Sequence, residues 1–103
     1  MNNKIKTYLG FCLKSGKLKI GLNNLEELKK NVFLIIVNEN LGENSLKKVT
    51  KQADKFCCKI LTTGENLSEY VNKECMVLAV QDKNLATAML DNLDDGFIIY
   101  GRD

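Results

Sequence analysis

The stretch that determines the fold reads VFLIIV and covers residues 32–37. Its six residues are all apolar, and four of them are β-branched. A strand that is buried on both faces has this pattern, because neither face of its sheet is in contact with water. A second stretch, MVLAV at residues 76–80, has the same character. The two stretches therefore predict a sheet that is covered by helices on both sides.

Segments with helical periodicity alternate with these strands. Apolar residues recur at helical spacing in residues 3–14, 22–30, 44–57 and 83–93. A shorter helix is expected around Leu67, and Asp82 is a suitable N-cap for the last helix. This alternating order with short connections predicts an α/β protein, specifically a three-layer α/β/α sandwich with a mixed sheet of about four strands.

Three shorter segments complete the expected fold. Residues 18–20 fit a brief strand, and another strand is expected to begin at Ile60. The sequence Asp94-Asp95-Gly96 predicts a turn. Residues 97–100 fit either an edge strand or a tail that packs on the core. A length of 103 residues leaves room for one domain, so residues 1–103 are expected to form a single domain.

The composition argues against a membrane protein and against an enzyme. No apolar run approaches 18 residues, so no membrane partner is expected, and residues 1–8 lack the apolar region of a signal peptide. We therefore expect the protein in the cytoplasm. The sequence has no histidine, which removes the commonest general base. Only a lysine or cysteine nucleophile would leave an enzymatic route open. We expect no enzyme, no cofactor, no metal and no small-molecule substrate.

The four cysteines lack the Cys-x-x-Cys spacing of zinc and redox sites. Cys57 and Cys58 are adjacent, which would suit a redox sensor. The alternative is that both are buried at the end of the helix 44–57 and act as small hydrophobic residues. We favour that alternative.

The net charge of +2 is distributed unevenly along the chain. Residues 1–30 contain seven lysines and two glutamates, whereas residues 61–103 contain eight acidic and three basic residues. A basic first part suits a polyanionic partner such as nucleic acid. Within residues 44–57, Lys47, Lys51 and Lys55 recur every four residues opposite the apolar stripe. A solvated helix face explains that pattern best.

The segment from Lys17 to Asn24 concentrates groups that suit RNA. Lys17 and Lys19 precede Gly21, and Asn23 and Asn24 follow it, at the predicted transition from strand to helix. Lysines bind phosphates, and the asparagine amide both donates and accepts, which suits contacts with base edges. An alternative is purely structural, because Asn23 and Glu26 have the spacing of an N-cap with a reciprocal glutamate. The residues alone leave both interpretations open.

These motifs resemble a known family. The sequence Leu-Gly-x-x-x-Lys-Ser-Gly-Lys-Leu at residues 9–18, followed by Gly-Leu-Asn-Asn at residues 21–24 and the strand 32–37, is similar to the kink-turn RNA-binding ribosomal protein family. This is the L-seven-Ae family, and the resemblance is greatest to its small bacterial YlxQ-type branch. It covers about residues 3–93. The resemblance implies a three-layer α/β/α fold and recognition of a sharply bent RNA stem.

The family signature, Gly-x-Asn-Glu-x-x-Lys, contacts sheared G·A pairs. Gly21 and Asn23 match it, Asn24 stands where the family has Glu, and Glu27 stands where the family has Lys. A second family loop ends in Leu-Gly-x-Ala-x-Gly, of which residues 67–72 keep only Leu67. The preceding turn, at residues 62–64, takes the loop position, so Thr62 and Thr63 are added as contact residues.

The resemblance and the residues together predict an RNA-binding protein. The candidate contact residues are Lys17, Lys19, Gly21, Asn23, Asn24, Lys30, Thr62 and Thr63. Lysines at 17, 19 and 30 would contact the RNA backbone, and the two asparagines would contact base edges. The expected partner is structured RNA, with ribosomal RNA as one candidate, within the translation or transcription machinery. The alternative is a protein–protein adaptor that keeps the fold without tight RNA binding. Glu27 and the missing glycines near Leu67 favour it.

Overall fold

The computed structural model describes residues 4–93 and 96–101. Helices and strands follow one another along the chain, and the bounds of the elements are α1 (Lys4–Lys14), β1 (Leu18–Ile20), α2 (Leu22–Glu27), β2 (Leu34–Asn38), α3 (Glu43–Phe56), β3 (Lys59–Thr63), α4 (Ser68–Val71), β4 (Val77–Val80), α5 (Lys83–Asp91) and β5 (Phe97–Ile99). No helix in these ranges is long and apolar enough to cross a membrane. Residue 3 and the predicted turn residues 94 and 95 lie outside the described residues.

The strands form one mixed sheet in the order β1-β4-β2-β3-β5. β2 and β3 are parallel, while β4 is antiparallel to both of its neighbours, β1 and β2. β5 pairs antiparallel with β3, so that Thr63 lies opposite Phe97. The sheet therefore has five strands rather than about four. Residues 97–99 pair with β3 as an edge strand, in which Phe97 is buried in the core and Ile98 is exposed.

Two apolar clusters, one on each face of the sheet, confirm the three-layer sandwich. The first cluster packs α1, α4 and α5 against one face, and its fully buried residues include Ile5, Leu9 and Met89. The second packs α2 and α3 against the other face through Leu25 and Val49. Alternate residues of β2 enter the two clusters. This explains why the sequence of β2 is apolar throughout.

Some element boundaries differ from those expected. β2 begins at Leu34 rather than residue 32, because its parallel partner β3 begins opposite Leu34, at Lys59. Val32 is nevertheless buried. β4 likewise begins at Val77 rather than Met76. Helix α5 ends at Asp91 rather than residue 93, and Leu93 is exposed rather than packed in the core.

Helix α2 is shorter than its periodicity predicts. It ends at Glu27, and the backbone of Leu28 is extended with φ −76° and ψ 143°. Leu28 packs against the cluster between the sheet and α3. The extended backbone there turns the chain back toward β2, so Lys29 and Lys30 lie in a connection rather than in the helix.

Candidate functional site

The strand register defines two ends of the sheet. At one end, Leu18, Val80, Leu34 and Lys59 form a row across four adjacent strands. At the other end, Val37 pairs with Val77, and Asn38 pairs with Thr63. The length of β2 separates the two ends by about 13 Å. Every predicted RNA contact can be assigned to one of these ends or to the strand edge between them.

Gly21 makes the transition from β1 to α2 at the second end. Its φ of 94° and ψ of 152° place it in a region that only glycine populates readily. Its N–H donates to the Val77 carbonyl over 2.8 Å, and its own carbonyl accepts from the Leu25 N–H over 3.1 Å. A side chain at this position would meet no atom within 4 Å. The glycine is therefore required by backbone conformation rather than by a close contact.

The structure excludes the capping interpretation of Asn23. Gly21 is the N-cap of α2, and no side chain makes a capping hydrogen bond there. The glycine conformation starts the helix at Leu22, so Asn23 already lies in its first turn. Asn23 is exposed, and its amide makes no hydrogen bond to any residue within 4–93 and 96–101. Its donor and acceptor groups therefore face solvent.

Asn24 is oriented by a hydrogen bond. Its Nδ2 donates to the carbonyl of Ile20, the last residue of β1, over 2.8 Å. The side chain is exposed, and its Oδ1 remains available as an acceptor. Asn23 and Asn24 thus present one unpaired amide and one positioned acceptor beside Gly21.

Thr62 and Thr63 lie at the same end but three strands away from β1. Thr63 is only 2% exposed, and its hydroxyl accepts from the Glu65 N–H over 2.9 Å, so its side chain is not presented at the surface. Thr62 is half-buried and lies opposite Ile98 of the edge strand β5. The structure therefore does not bring these threonines into contact with the β1–α2 junction.

The predicted lysines are separated from the asparagines. Lys17 accepts a backbone hydrogen bond from Gln81 at the first end, next to the start of β1. Lys30 lies in the connection between α2 and β2, also toward that end. Lys19 is exposed midway along the edge strand β1. Lys17 and Lys30 thus lie toward the opposite end of the sheet from the asparagines, whereas Lys19 lies between the two ends.

A polar cleft of about 330 Å³ lies at the same end as Gly21 and was not predicted from the sequence. Its lining includes Asn38, Asn40, Asn66, Ser68 and Glu74. The Asn38 side chain is fixed because its Nδ2 donates to the Glu65 carbonyl and its Oδ1 accepts from the Asn40 N–H, each over 2.8 Å.

The available sequence signal was the presence of asparagines at the end of β2 and shortly after β2 and β3. We call Asn23, Asn24, Asn38, Asn40 and Asn66 the amide end. Acidic residues accompany it: Glu39 follows β2, Glu65 follows β3, and Glu74 lines the cleft. A carboxylate oxygen of Glu39 lies 3.0 Å from where a Cβ on Gly64 would stand. The amide end therefore combines hydrogen-bonding groups with negative charge.

The four cysteines are free thiols, and three of them have a raised pKa. Burial and the nearby Asp82 carboxylate raise the pKa of Cys12 to about 11, and burial and the neighbouring Cys57 raise that of Cys58 to about 11. Burial also raises the pKa of the Cys75 thiol. Cys57 is exposed rather than buried, because it ends α3 in a left-handed conformation with φ 55°. Within the described ranges, no three Cys, Asp or Glu side chains are grouped to hold a metal ion.

Comparisons with known proteins reveal a similar fold. A solved structure of a protein with unknown function from Bacillus halodurans matches this chain with a TM-score of 0.70 and 20% sequence identity. The match covers 88% of this chain and 100% of that chain. No protein-family model and no curated protein matches the sequence. At this level of identity, the similarity shows that the two chains share an α/β fold.

Proposed function

We propose that this protein binds structured RNA, of the kink-turn type or a related type. The observation that carries the proposal is the β1–α2 junction, where the unpaired amide of Asn23 and the positioned amide of Asn24 face solvent beside Gly21. Unpaired bases and sheared pairs expose edges that an amide recognises by donating and accepting at once. The sequence resemblance to kink-turn RNA-binding ribosomal proteins supports the same function at the same residues.

Further features support this proposal. Asn38, Asn40 and Asn66 add amide groups at the same end of the sheet, where the RNA would continue past the junction. Lys19 lies exposed on the edge strand next to the junction, within the path of a backbone that approaches Asn24. The proposed partner is structured RNA, with ribosomal RNA as a candidate, in the translation or transcription machinery of the cytoplasm. No enzymatic activity is part of the proposal.

The experiment that tests this function measures binding to a generic kink-turn RNA and to a variant that lacks the G·A pairs. The parent should prefer the intact kink-turn. Asn23→Asp should abolish that preference, because aspartate cannot donate to a base and adds a negative charge near phosphates. The loss should be about 5- to 150-fold, the equivalent of about 1–3 kcal/mol for a two-point base contact.

Asn44→Asp provides a matched control. Asn44 is the second residue of α3, as Asn23 is of α2, and it is exposed at the same end of the sheet. The control adds the same charge without touching the junction, so it should retain the preference for the intact kink-turn. Equal affinity of the parent for both RNAs would refute recognition of the kink-turn, and equal loss in both variants would show a charge effect alone.

A protein–protein adaptor is the second candidate. Glu39, Glu65 and Glu74 at the amide end, and Glu27 at the end of α2, carry negative charge, which repels RNA but would attract a basic protein segment. Under this function, the parent would bind neither RNA above background. Binding of a lysine-rich partner that weakens in Glu74→Gln would then favour the adaptor.

A further inference from the structure

Seven of the fourteen lysines of this chain lie at one end of the sheet. Lys14 ends α1, Lys17 precedes β1, Lys29 and Lys30 follow α2, Lys55 lies in the last turn of α3, Lys59 begins β3 and Lys83 begins α5. We call these seven residues the basic end; all of them are exposed. They lie at four connections of the chain, α1–β1, α2–β2, α3–β3 and β4–α5, and the topology of the sheet places these connections at the same end.

Fewer acidic residues than lysines lie in these segments. Among the described residues of the same segments, including the last turns of α2 and α3, the acids are Glu26, Glu27, Asp54 and Asp82. Asp82 is engaged because its Oδ1 accepts from the Leu85 N–H over 2.9 Å. The basic end thus carries seven lysines against four acids, a surplus of three positive charges. The amide end, about 13 Å away along β2, has the opposite sign of charge in Glu39, Glu65 and Glu74.

Lys55 connects two of the segments that form the basic end. Lys55 donates from Nζ to the Leu28 carbonyl over 3.2 Å, and its ammonium group lies 5.1 Å from the centroid of the Phe56 ring. This contact ties the end of α3 to the connection that carries Lys29 and Lys30. The lysines of α2–β2 and of α3–β3 are therefore held beside each other on one surface.

From this arrangement we infer that the basic end docks the sugar–phosphate backbone of an RNA stem. Lysines bind phosphates without reading sequence, and a stem presents closely spaced phosphates to a broad surface. The row from β1 to β3 crosses three strand spacings, about 14 Å, which suits contacts with more than one phosphate. This inference rests on the proposed function, and it moves the backbone contacts away from the asparagines to the opposite end of the sheet.

The two ends would then act on one RNA in different ways. The basic end would supply affinity that depends on salt and not on sequence, and the amide end would supply the preference for G·A pairs. With four to seven phosphates neutralised, the slope of log K against log salt should lie between about −3 and −6. If only Lys17, Lys19 and Lys30 contacted phosphates, the slope would be about −2 to −3.

The test compares two fourfold variants of the full chain that carry the same net charge. The first is Lys17→Gln, Lys29→Gln, Lys30→Gln and Lys59→Gln, which leaves Lys55 and its structural contact intact. The control is Lys47→Gln, Lys48→Gln, Lys51→Gln and Lys73→Gln, four exposed lysines outside the basic end. Thermal unfolding of both variants should match the parent, because exposed substitutions change stability little.

Binding is measured by titration with the kink-turn RNA, its variant without G·A pairs and a plain RNA stem of equal length, between 50 and 200 mM salt. In the first variant we expect at least an about tenfold loss of affinity for all three RNAs and a slope that is less steep by about 3. Its preference for the intact kink-turn should be unchanged. The control should lose less than about threefold.

The outcomes separate this inference from the proposed function. If the parent binds RNA but the first variant loses no more affinity than the control, the basic end is not the docking surface, although RNA binding stands. If the first variant loses only the preference for G·A pairs, the basic end recognises those pairs instead of docking the RNA backbone, and the inference is wrong. If the parent binds none of the three RNAs, the proposed function fails and the inference fails with it.

Discussion

The amide end and the basic end of the sheet are stabilised and charged by different means. At the amide end, polar side chains are held by local hydrogen bonds, such as those of Asn24 to Ile20 and of Asn38 to Glu65 and Asn40. At the basic end, exposed lysines surround the row formed by Leu18, Val80, Leu34 and Lys59. Among the described residues, Lys55 is the one lysine of this end whose side chain makes a hydrogen bond, to the Leu28 carbonyl. Hydrogen bonds thus position the side chains of the amide end, whereas positive charge is the distinguishing property of the basic end.

The first prediction concerns the backbone on which the amide end depends. Gly21→Ala should destabilise the protein by about 1–3 kcal/mol, because alanine is strained at φ 94° and ψ 152°. Gly10→Ala is the control. Gly10 lies within α1 and a Cβ there meets no atom within 4 Å, so alanine should stabilise by about 0.4–1 kcal/mol. Urea unfolding measures both effects, and equal effects would contradict the conformational role of Gly21.

The second prediction tests whether the positive charge of the basic end lowers the pKa of the buried thiol of Cys12. Cys12 lies under that end, yet burial and Asp82 raise the pKa of its thiol to about 11. The folded state holds this proton more tightly than the unfolded state. The contribution of the thiol to the free energy of unfolding is therefore fully present below about pH 9 and is lost as the pH rises toward 11. The thiol should account for a loss on the order of 2 kcal/mol over that range.

Cys12→Ala isolates this contribution. The variant should be less stable at every pH because a buried sulfur is removed, but its stability should fall less than that of the parent between pH 9 and 11. Deprotonation of lysines affects both proteins equally, so the difference between the two curves belongs to the thiol. Parallel curves would mean that the basic end holds the pKa of Cys12 near its ordinary value.

The apolar pattern was sufficient to predict the layers of this fold but not the arrangement of its ends. Residues 32–37 and 76–80 indicated a doubly covered sheet because burial on both faces leaves a continuous apolar run. The separation of Lys17 from Asn24 could not be predicted, since they are seven positions apart and only the direction of β1 places them at opposite ends. The role of Gly21 as N-cap was missed because Asn23 has the side chain that usually caps a helix.

The site also depends on contacts between distant segments. Asn38, Asn40 and Asn66 share a cleft because β2 and β3 are parallel and end at the same side of the sheet. Nothing local in the sequence specifies that pairing. Thr63 is buried because it lies in β3 on the same face as Leu61. The sequence predicts a turn at residues 62–64 instead.

The third prediction tests whether α2 faces the RNA between the two ends. Glu27→Lys should raise the affinity for kink-turn RNA by about 5- to 30-fold at low salt, the equivalent of ~1–2 kcal/mol, because a repulsion is removed and a phosphate contact is added. The salt slope should steepen by up to about one unit. Glu26→Lys makes the same charge change on a different face of the same helix. Its affinity for kink-turn RNA should therefore rise by less than about threefold. Equal gains would indicate a long-range charge effect.

The last prediction compares the contributions of the two asparagines of the junction to the free energy of unfolding. Asn23→Ala removes an exposed amide with no partner in the described ranges, so the free energy of unfolding should change by less than about 0.5 kcal/mol. Asn24→Ala removes the 2.8 Å hydrogen bond to Ile20 that joins the helix to the strand. Because the gain in helix propensity is the same for both, Asn24→Ala should be less stable than Asn23→Ala by about 0.5–1 kcal/mol. Urea unfolding of the two variants side by side measures this difference. If they unfold together, the bond to Ile20 adds nothing to stability, and the amide end is not held rigid at this residue.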